Sequence, residues 1–268
     1  MLEERTLAIV LRSRLHGESD KIVTFLTKDW GKITGIAKGA KRSQRRFVNV
    51  LEPFTHVQLR FRPSRTDELA FIFGCDLVQI FRSPSKDLQR FALANYLCEL
   101  IDAMVTGREA DQDTYMLLLE SLNLLEENPR LSPAFLPTFE LLLLTRAGYA
   151  PHLTDCQQCG RDTSEGHSSW AFSPSNGGLL CTFCQEQGFS KGATIILSNH
   201  TVHFFAATKD RTLATVLSSR APRQVAKELR ALAGSMLARH LHRSLKSRAF
   251  LEQMQLPTDA SVDALPGE

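Results

Sequence analysis

The sequence lacks the short signatures of nucleotide chemistry. It has no G-x-x-x-x-G-K-[ST] loop and no G-x-G-x-x-G fingerprint, so no motif cradles a nucleoside triphosphate or a dinucleotide. H-E-x-x-H and G-x-S-x-G are missing as well, and no carboxylate cluster marks a two-metal nuclease. A catalytic role is therefore not expected. No apolar run approaches the roughly 18 residues that span a bilayer. The first twenty residues place acids before a short apolar run and offer no small-residue cleavage site, so they do not read as a signal peptide. Cysteine is scarce, six in 268 residues, which excludes a disulfide-dense secreted scaffold. Together these absences point to a soluble cytoplasmic protein with reduced thiols and no membrane partner.

Net charge is also small, +3, but it is unevenly spread. Residues 1–80 hold 14 Lys and Arg against 9 Asp and Glu, whereas residues 81–150 hold 6 against 10. Residues 151–200 are mildly acidic, and residues 201–268 are basic again, 10 against 6. The near-neutral total is a sum over segments of opposite sign, which whole-chain charge conceals. Hydrophobic residues make up 43%, enough to bury a sizeable core.

Two periods divide the chain. Over residues 1–80, short apolar or alternating runs at Thr6–Leu11, Ile22–Thr27, Lys32–Ala37, Thr55–Phe61 and Leu69–Gln79 predict five strands. Five strands in about 80 residues suit a small closed barrel, although an SH3-like barrel or a small sandwich fits the same pattern. After Pro84 the spacing becomes helical, through Leu88–Met104, Tyr115–Leu125 and Phe135–Ala147, with Gly148 as a stop. Residues 151–190 lose periodicity. Helical spacing resumes beyond Ser198 and runs to 256, and the polar, proline-bounded tail over 257–268 is expected to be disordered.

Inside the aperiodic stretch lie Cys156-x-x-Cys159 and Cys181-x-x-Cys184. A two-residue gap lets both thiolates of a knuckle face one ion, and two knuckles complete a tetrahedral site. Gly160 allows the tight turn. Four sulfurs leave no open position, so the spacing predicts a closed, structural zinc centre, with a pair of redox motifs as the competing reading. His152 and His167 then fall outside the ligand set. Cys75 and Cys98 sit in apolar patterns and read as ordinary core thiols.

Between Trp30 and Arg65 stand nine cations, Lys32, Lys38, Lys41, Arg42, Arg45, Arg46, Arg60, Arg62 and Arg65, opposed only by Glu52. Five of them, Lys38, Lys41, Arg42, Arg45 and Arg46, fill one segment between two strands. A cationic loop beside a barrel face matches a phosphate backbone, and no base-reading pattern accompanies it. A solvated loop, or a docking patch for acidic proteins, is the competing reading. The neighbouring Phe25, Trp30, Phe47 and Phe61 read as core. A second basic strip, Arg223, Lys227, Arg230, Arg239, Arg243 and Lys246, falls at helical spacing.

The ordered set Gly17-Glu-Ser-Asp-Lys-Ile22, Lys38-Gly-Ala-Lys-Arg42 with Arg45-Arg46, Leu51-Glu-Pro-Phe54, Phe139-Glu-Leu-Leu-Leu-Leu-Thr-Arg-Ala-Gly-Tyr149, Cys156-x-x-Cys-Gly160, Phe172-Ser-Pro174 and Gly177-Gly-Leu-Leu-Cys181 resembles the bacterial RecO family of recombination mediators, colinear over about residues 1–250. The resemblance implies an α+β multidomain protein: an N-terminal OB-fold β-barrel over 1–80, a helical domain over 81–150 and 191–256, and a four-cysteine zinc module inserted at 151–190. It further implies binding of single- and double-stranded DNA, annealing of complementary strands without ATP, and loading of RecA together with RecR and, in some bacteria, RecF. The single-strand-binding protein would be a partner, and the protein would associate with the nucleoid. Carried over by position, Lys38, Lys41, Arg42, Arg45 and Arg46 would contact DNA, and Cys156, Cys159, Cys181 and Cys184 would hold Zn2+.

Overall fold

The computed structural model describes residues 3–64, 69–107, 109–164, 169–189, 192–208, 212–218, 221–241 and 243–253. The expected disordered tail over 257–268 lies outside them. The chain forms two compact units, Met1–Pro129 with Arg243–Glu268, and Arg130–His242. No helix among the described residues is long and apolar enough to cross a membrane.

The first unit is built on a closed five-stranded barrel of β1 (Glu4–His16), β2 (Asp20–Thr27), β3 (Lys32–Ala37), β4 (Thr55–Arg62) and β5 (Ala70–Ile80), ordered β1-β2-β3-β5-β4. Strand β1 serves two neighbours. Its residues Glu4–Ile9 pair with β4 and Ala8–His16 with β2, and a register shift between Val10 and Arg12 bends it between them. Such a bulge lets one strand turn a barrel corner. Closure comes from a parallel pairing of β3 with β5, Gly35 opposite Ala70 and Ile36 opposite Phe71. Val10, Val23, Phe25, Leu59, Phe61 and Ile72 fill the interior.

Closure also needs a residue without a side chain at Gly35. A Cβ there would lie 2.4 Å from Ile72 Cδ1 and 2.9 Å from the Ala70 carbonyl. Gly35→Ala is therefore expected to cost on the order of 1–3 kcal/mol through overpacking, seen as a lower urea midpoint. An unchanged midpoint would mean that β5 can move away freely.

Three helices follow the barrel: α1 (Ser83–Lys86), α2 (Leu88–Met104) and α3 (Gln112–Glu127). Asp87 caps α2 by accepting from the Gln89 and Arg90 amides, and Asp111 caps α3 through the Thr114 amide. The helices are tied to the barrel by polar contacts. Tyr115 Oη and His56 Nε2 are 2.6 Å apart in a buried contact, Gln79 donates to Asn123, and Lys32 Nζ donates to the Asp102 carbonyl at 2.7 Å. Burial lowers the His56 pKa, which keeps the ring neutral beside the tyrosine.

The second unit opens with α4 (Phe135–Arg146), whose Phe139 and Leu141–Leu144 are all buried. A helix apolar on every side belongs at a centre, and α4 packs on α8. Gly148 ends it at φ 86°. A four-stranded sheet follows, β6 (His152–Cys156), β7 (Ser169–Ser173), β8 (Gly178–Leu180) and β9 (Ile195–Ser198), in the order β6-β8-β7-β9. The aperiodic reading of residues 151–190 did not anticipate these strands. Helix α5 (Thr182–Glu186) sits within this module, and α6 (Asn199–Ala206), α7 (Leu213–Ser218) and α8 (Arg223–His240) complete the unit.

A last helix, α9 (Lys246–Gln253), belongs to the first unit and packs on α2. Glu99 accepts from the backbone amides of Lys246 and Ser247, which fixes the start of α9. The helical segments expected as one domain thus divide between the units: α1–α3 and α9 with the barrel, α4 and α6–α8 with the cysteine module.

Candidate metal centre and nucleic-acid interface

Both cysteine pairs are delivered by tight local structure. Cys156 ends β6, and the chain turns at once, the Gly160 amide donating to the Cys156 carbonyl at 2.8 Å with Gly160 at φ 72°. Cys181 precedes α5 and Cys184 lies within it, so the second pair sits on a helical turn. Strand pairing of Cys156 with Leu179 brings the two pairs together. All four sulfurs lie within 4.8 Å of one another, three buried and Cys159 exposed.

The donor set fits a tetrahedral metal. Sulfurs about 2.3 Å from one ion would be about 3.8 Å apart, and Cys159 Sγ and Cys181 Sγ stand 3.8 Å apart. Burial opposes ionisation of Cys156, but backbone amides, the Cys181 N–H at 3.3 Å foremost, outweigh it and bring its pKa to about 7. Cys184 is pushed up to about 12, by burial and then by the neighbouring sulfurs. A divalent cation among the four sulfurs would favour the thiolate form of each. All six cysteines are free thiols. His152 stands apart from the sulfurs in a contact with Asp155, and His167 lies outside the described residues. Cys75 and Cys98 are buried, and desolvation raises each to about 12, as core thiols require.

All five loop cations lie in the segment between β3 and β4, and three of them, Arg42, Arg45 and Arg46, share one surface concavity. Lys38, Lys41, Arg42, Arg45 and Arg46 are all exposed, and Gly39, Arg42 and Ser43–Arg46 line a shallow concavity. The segment is anchored, contrary to a reading of it as a free loop. Gly39, at φ 67°, donates its amide to Asp20 Oδ1 at 2.8 Å, and the Lys41 amide donates to the Ser19 carbonyl. The Gly39 bond is also the main reason the Asp20 carboxyl titrates below its ordinary value. The Arg46 guanidinium reaches back to the Lys38 carbonyl at 3.0 Å and lies over the Phe47 ring. Phe47, Val50 and Leu51 then plug the barrel core.

Sequence reasoning missed this anchoring, although the apolar residues Phe47, Val50 and Leu51 directly after the cations hint at it. Arg46 therefore has a structural duty. Among the described residues no carboxylate lies within ion-pairing distance of Lys41, Arg42 or Arg45. As expected, Phe25, Phe47 and Phe61 are core, and Trp30 packs edge-on against Phe61.

The second basic strip does not form one face. Helix α8 ends at His240, and Lys227, Arg230 and Arg239 are exposed on it. Arg243 and Lys246 belong to the other unit, where Arg243 meets Asp102 at 3.4 Å. The helical spacing continued past the end of α8 because Leu241 and Leu245 keep an apolar rhythm beyond it.

A closed OB-fold barrel with a cationic loop and a second unit whose four clustered thiols could hold a metal ion make this a modular protein. Comparison with known proteins makes this particular. The model of the family "Recombination protein O N terminal" matches residues 1–81, and that of "Recombination protein O C terminal" matches residues 85–249. The chain is 35% identical over 248 residues to the DNA repair protein RecO of Symbiobacterium thermophilum, covering 92% of this chain and 96% of that one. RecO of Anaeromyxobacter sp. strain K is 34% identical over 246 residues, covering 92% and 94%, and RecO of Nocardioides sp. is 35% identical over 251 residues, covering 93% and 99%. The chain belongs to the RecO family, and its role lies in DNA repair and recombination.

Proposed function

We propose that this chain is a DNA-binding recombination mediator. It binds single- and double-stranded DNA through Lys38, Lys41, Arg42, Arg45 and Arg46, anneals complementary strands without ATP, and assists RecA loading on strands coated by the single-strand-binding protein, together with RecR. The observation that carries this reading is the anchored cationic segment: five exposed cations between two strands of an OB barrel, followed by residues that pack into its core. Phosphates that replace the counterions of such a segment release them to solvent, which favours binding without regard to sequence. Annealing by this route needs only screening of two repelling backbones, so no nucleotide site is called for. Cys156, Cys159, Cys181 and Cys184 would hold Zn2+, whose part is to fix the fold of the second unit.

Annealing of a fluorophore–quencher pair of complementary oligonucleotides tests the reading. The protein is expected to accelerate pairing without ATP, and Arg42→Glu with Arg45→Glu to slow it by about tenfold or more, since two attractive phosphate contacts become repulsive. Acceleration that survives both changes would remove the loop from the mechanism. If the protein failed to pair strands or bind DNA while still capturing acidic proteins through the same cations, it would be a zinc-stabilised adaptor instead.

A further inference from the structure

The outer face of the barrel carries an aromatic pair that the core does not use. Along β5, Ala70, Ile72 and Cys75 point inward and are buried, while Phe71 and Phe73 point outward and remain partly exposed. Their ring centroids are 5.0 Å apart at 65°. Arg62, on the adjacent strand and opposite Phe71, sets its guanidinium 5.6 Å from the Phe71 centroid and 5.9 Å from the Phe73 centroid, within cation–π range. A bulge presents the second ring. Arg60 faces Gly74 and Phe61 faces Ile72, so Phe73 is the extra residue, and bulges commonly re-aim a side chain in this way. Gly74 leaves room for Arg60 to lie across the strand, since a Cβ there would meet its Nη2 at 2.6 Å. Arg60 itself is held by Glu3 and Asp76, but among the described residues no carboxylate lies within ion-pairing distance of Arg62.

The pair borders the cationic segment. Phe71 is opposite Ile36 on β3, and the exposed Lys38 follows directly after the end of that strand. The Arg46 carbonyl accepts from the Cys75 amide at 3.3 Å, so the segment runs along β5 beside Phe73. Aromatic rings beside cations on one barrel face form the combination that takes unpaired bases and backbone together.

We propose that Phe71 and Phe73, with Arg62, form a base-stacking subsite for single-stranded DNA, continuous with the phosphate-binding segment at Lys38–Arg46. Unpaired bases stack on the two rings, and Arg62 both orders the rings and supplies positive charge beside the passing backbone. A duplex keeps its bases inside, so this subsite favours single strands over duplexes. The inference rests on the DNA-binding reading above.

The test compares the affinity of the full chain for an oligothymidylate and for an abasic oligomer of equal length and charge. The intact protein is expected to bind the base-bearing strand more tightly by roughly fivefold or more for each stacked base. Phe71→Leu with Phe73→Leu, which keeps apolar bulk, should fall to the abasic level while the salt dependence is unchanged. Phe73→Trp gives an independent readout, since its fluorescence should be quenched by the oligothymidylate and not by the abasic strand. Equal affinity of the intact protein for both oligomers, or discrimination retained by the leucine variant, would overturn the subsite and leave the loop reading standing. Absence of binding to either oligomer would overturn the DNA-binding reading, and the subsite with it.

Discussion

Cys181→Ser is expected to release the metal and unfold the cysteine module while leaving the barrel folded. Strands β6 and β8 have five and three residues and share a broken register, His152 with Gly178 and Cys156 with Leu179, so backbone pairing holds the two knuckles together only weakly. A metal held by the four clustered sulfurs would join the end of β6 to the start of α5. Binding of a structural zinc contributes apparent free energies of about 10–16 kcal/mol in small zinc modules, and most of that is lost with one of four ligands. Cys181 is fully buried, so serine also leaves a hydroxyl facing the remaining thiols. Metal analysis should fall from one zinc per chain to none, and limited proteolysis should cut within residues 151–189. The barrel lies in the other compact unit, and its unfolding transition should persist. A variant that is metal-free and equally resistant would show that the sulfurs serve no structural ion.

Glu228→Ala is expected to be the most damaging single change away from the cysteines. Glu228 lies on α8, is buried, and is the acceptor for a whole junction. Its Oε2 takes the Ser198 amide at 2.7 Å, the Ser198 hydroxyl at 2.8 Å and the Thr201 hydroxyl at 2.5 Å, and Gln224 donates to Oε1 at 2.6 Å. Ser198 ends β9 and caps α6, so one carboxylate joins a strand, a helix start and α8. Hydrogen bonds to a charged group contribute about 1.5–3 kcal/mol each, and donors left buried without a partner cost more. Alanine should therefore destabilise the second unit by about 3–5 kcal/mol, given that the bonds share one acceptor. Calorimetry of the intact chain would read it as a lower melting temperature for that unit.

The same group sets an acid dependence. Burial by itself would raise the Glu228 pKa above 4.5, but the bonds from Thr201, Ser198 and Gln224 prevail and hold it below. A carboxyl with a depressed folded-state pKa contributes stability that is present above its unfolded value and is lost as the pH falls through the folded value. Glu99, hydrogen-bonded by Ser247 and Lys246, behaves alike in the first unit. Stability should accordingly decline below about pH 4.5, and Glu228→Gln should flatten that decline for the second unit. An identical acid profile in the variant would remove Glu228 from the account.

How much of this was legible in the sequence follows the strength of each pattern. Strand β3 spans Lys32–Ala37 and α2 spans Leu88–Met104, as their runs imply, because each has one buried face or a capping residue with a clear period. Strands β6–β9 were not legible, since three to five residues between cysteines and glycines are too few to show alternation. The four-cysteine cluster was legible through its C-x-x-C spacing, a local constraint. The cations of the loop were legible as charge, but the double duty of Arg46 depends on Lys38 and Phe47 folding back against it. Phe71 and Phe73 were hidden for another reason. Ala70-Phe-Ile-Phe73 is apolar on both faces, so alternation says which residues share a side and not which side is the core. The bulge opposite Arg60 and Phe61 decides that, and it has no signature in the residues of β5.

The central claim is that the anchored cations between β3 and β4 take the DNA backbone. Single-strand affinity measured against salt concentration, for the intact chain and for Arg42→Glu with Arg45→Glu, tests it most directly. These two residues are preferred to Arg46, whose guanidinium also closes the segment. The account predicts a linear fall of log affinity with log salt, with a slope of about −0.7 per phosphate contacted, made shallower by about 1.4 in the double variant. Equal slopes and equal affinities for the two proteins would contradict it.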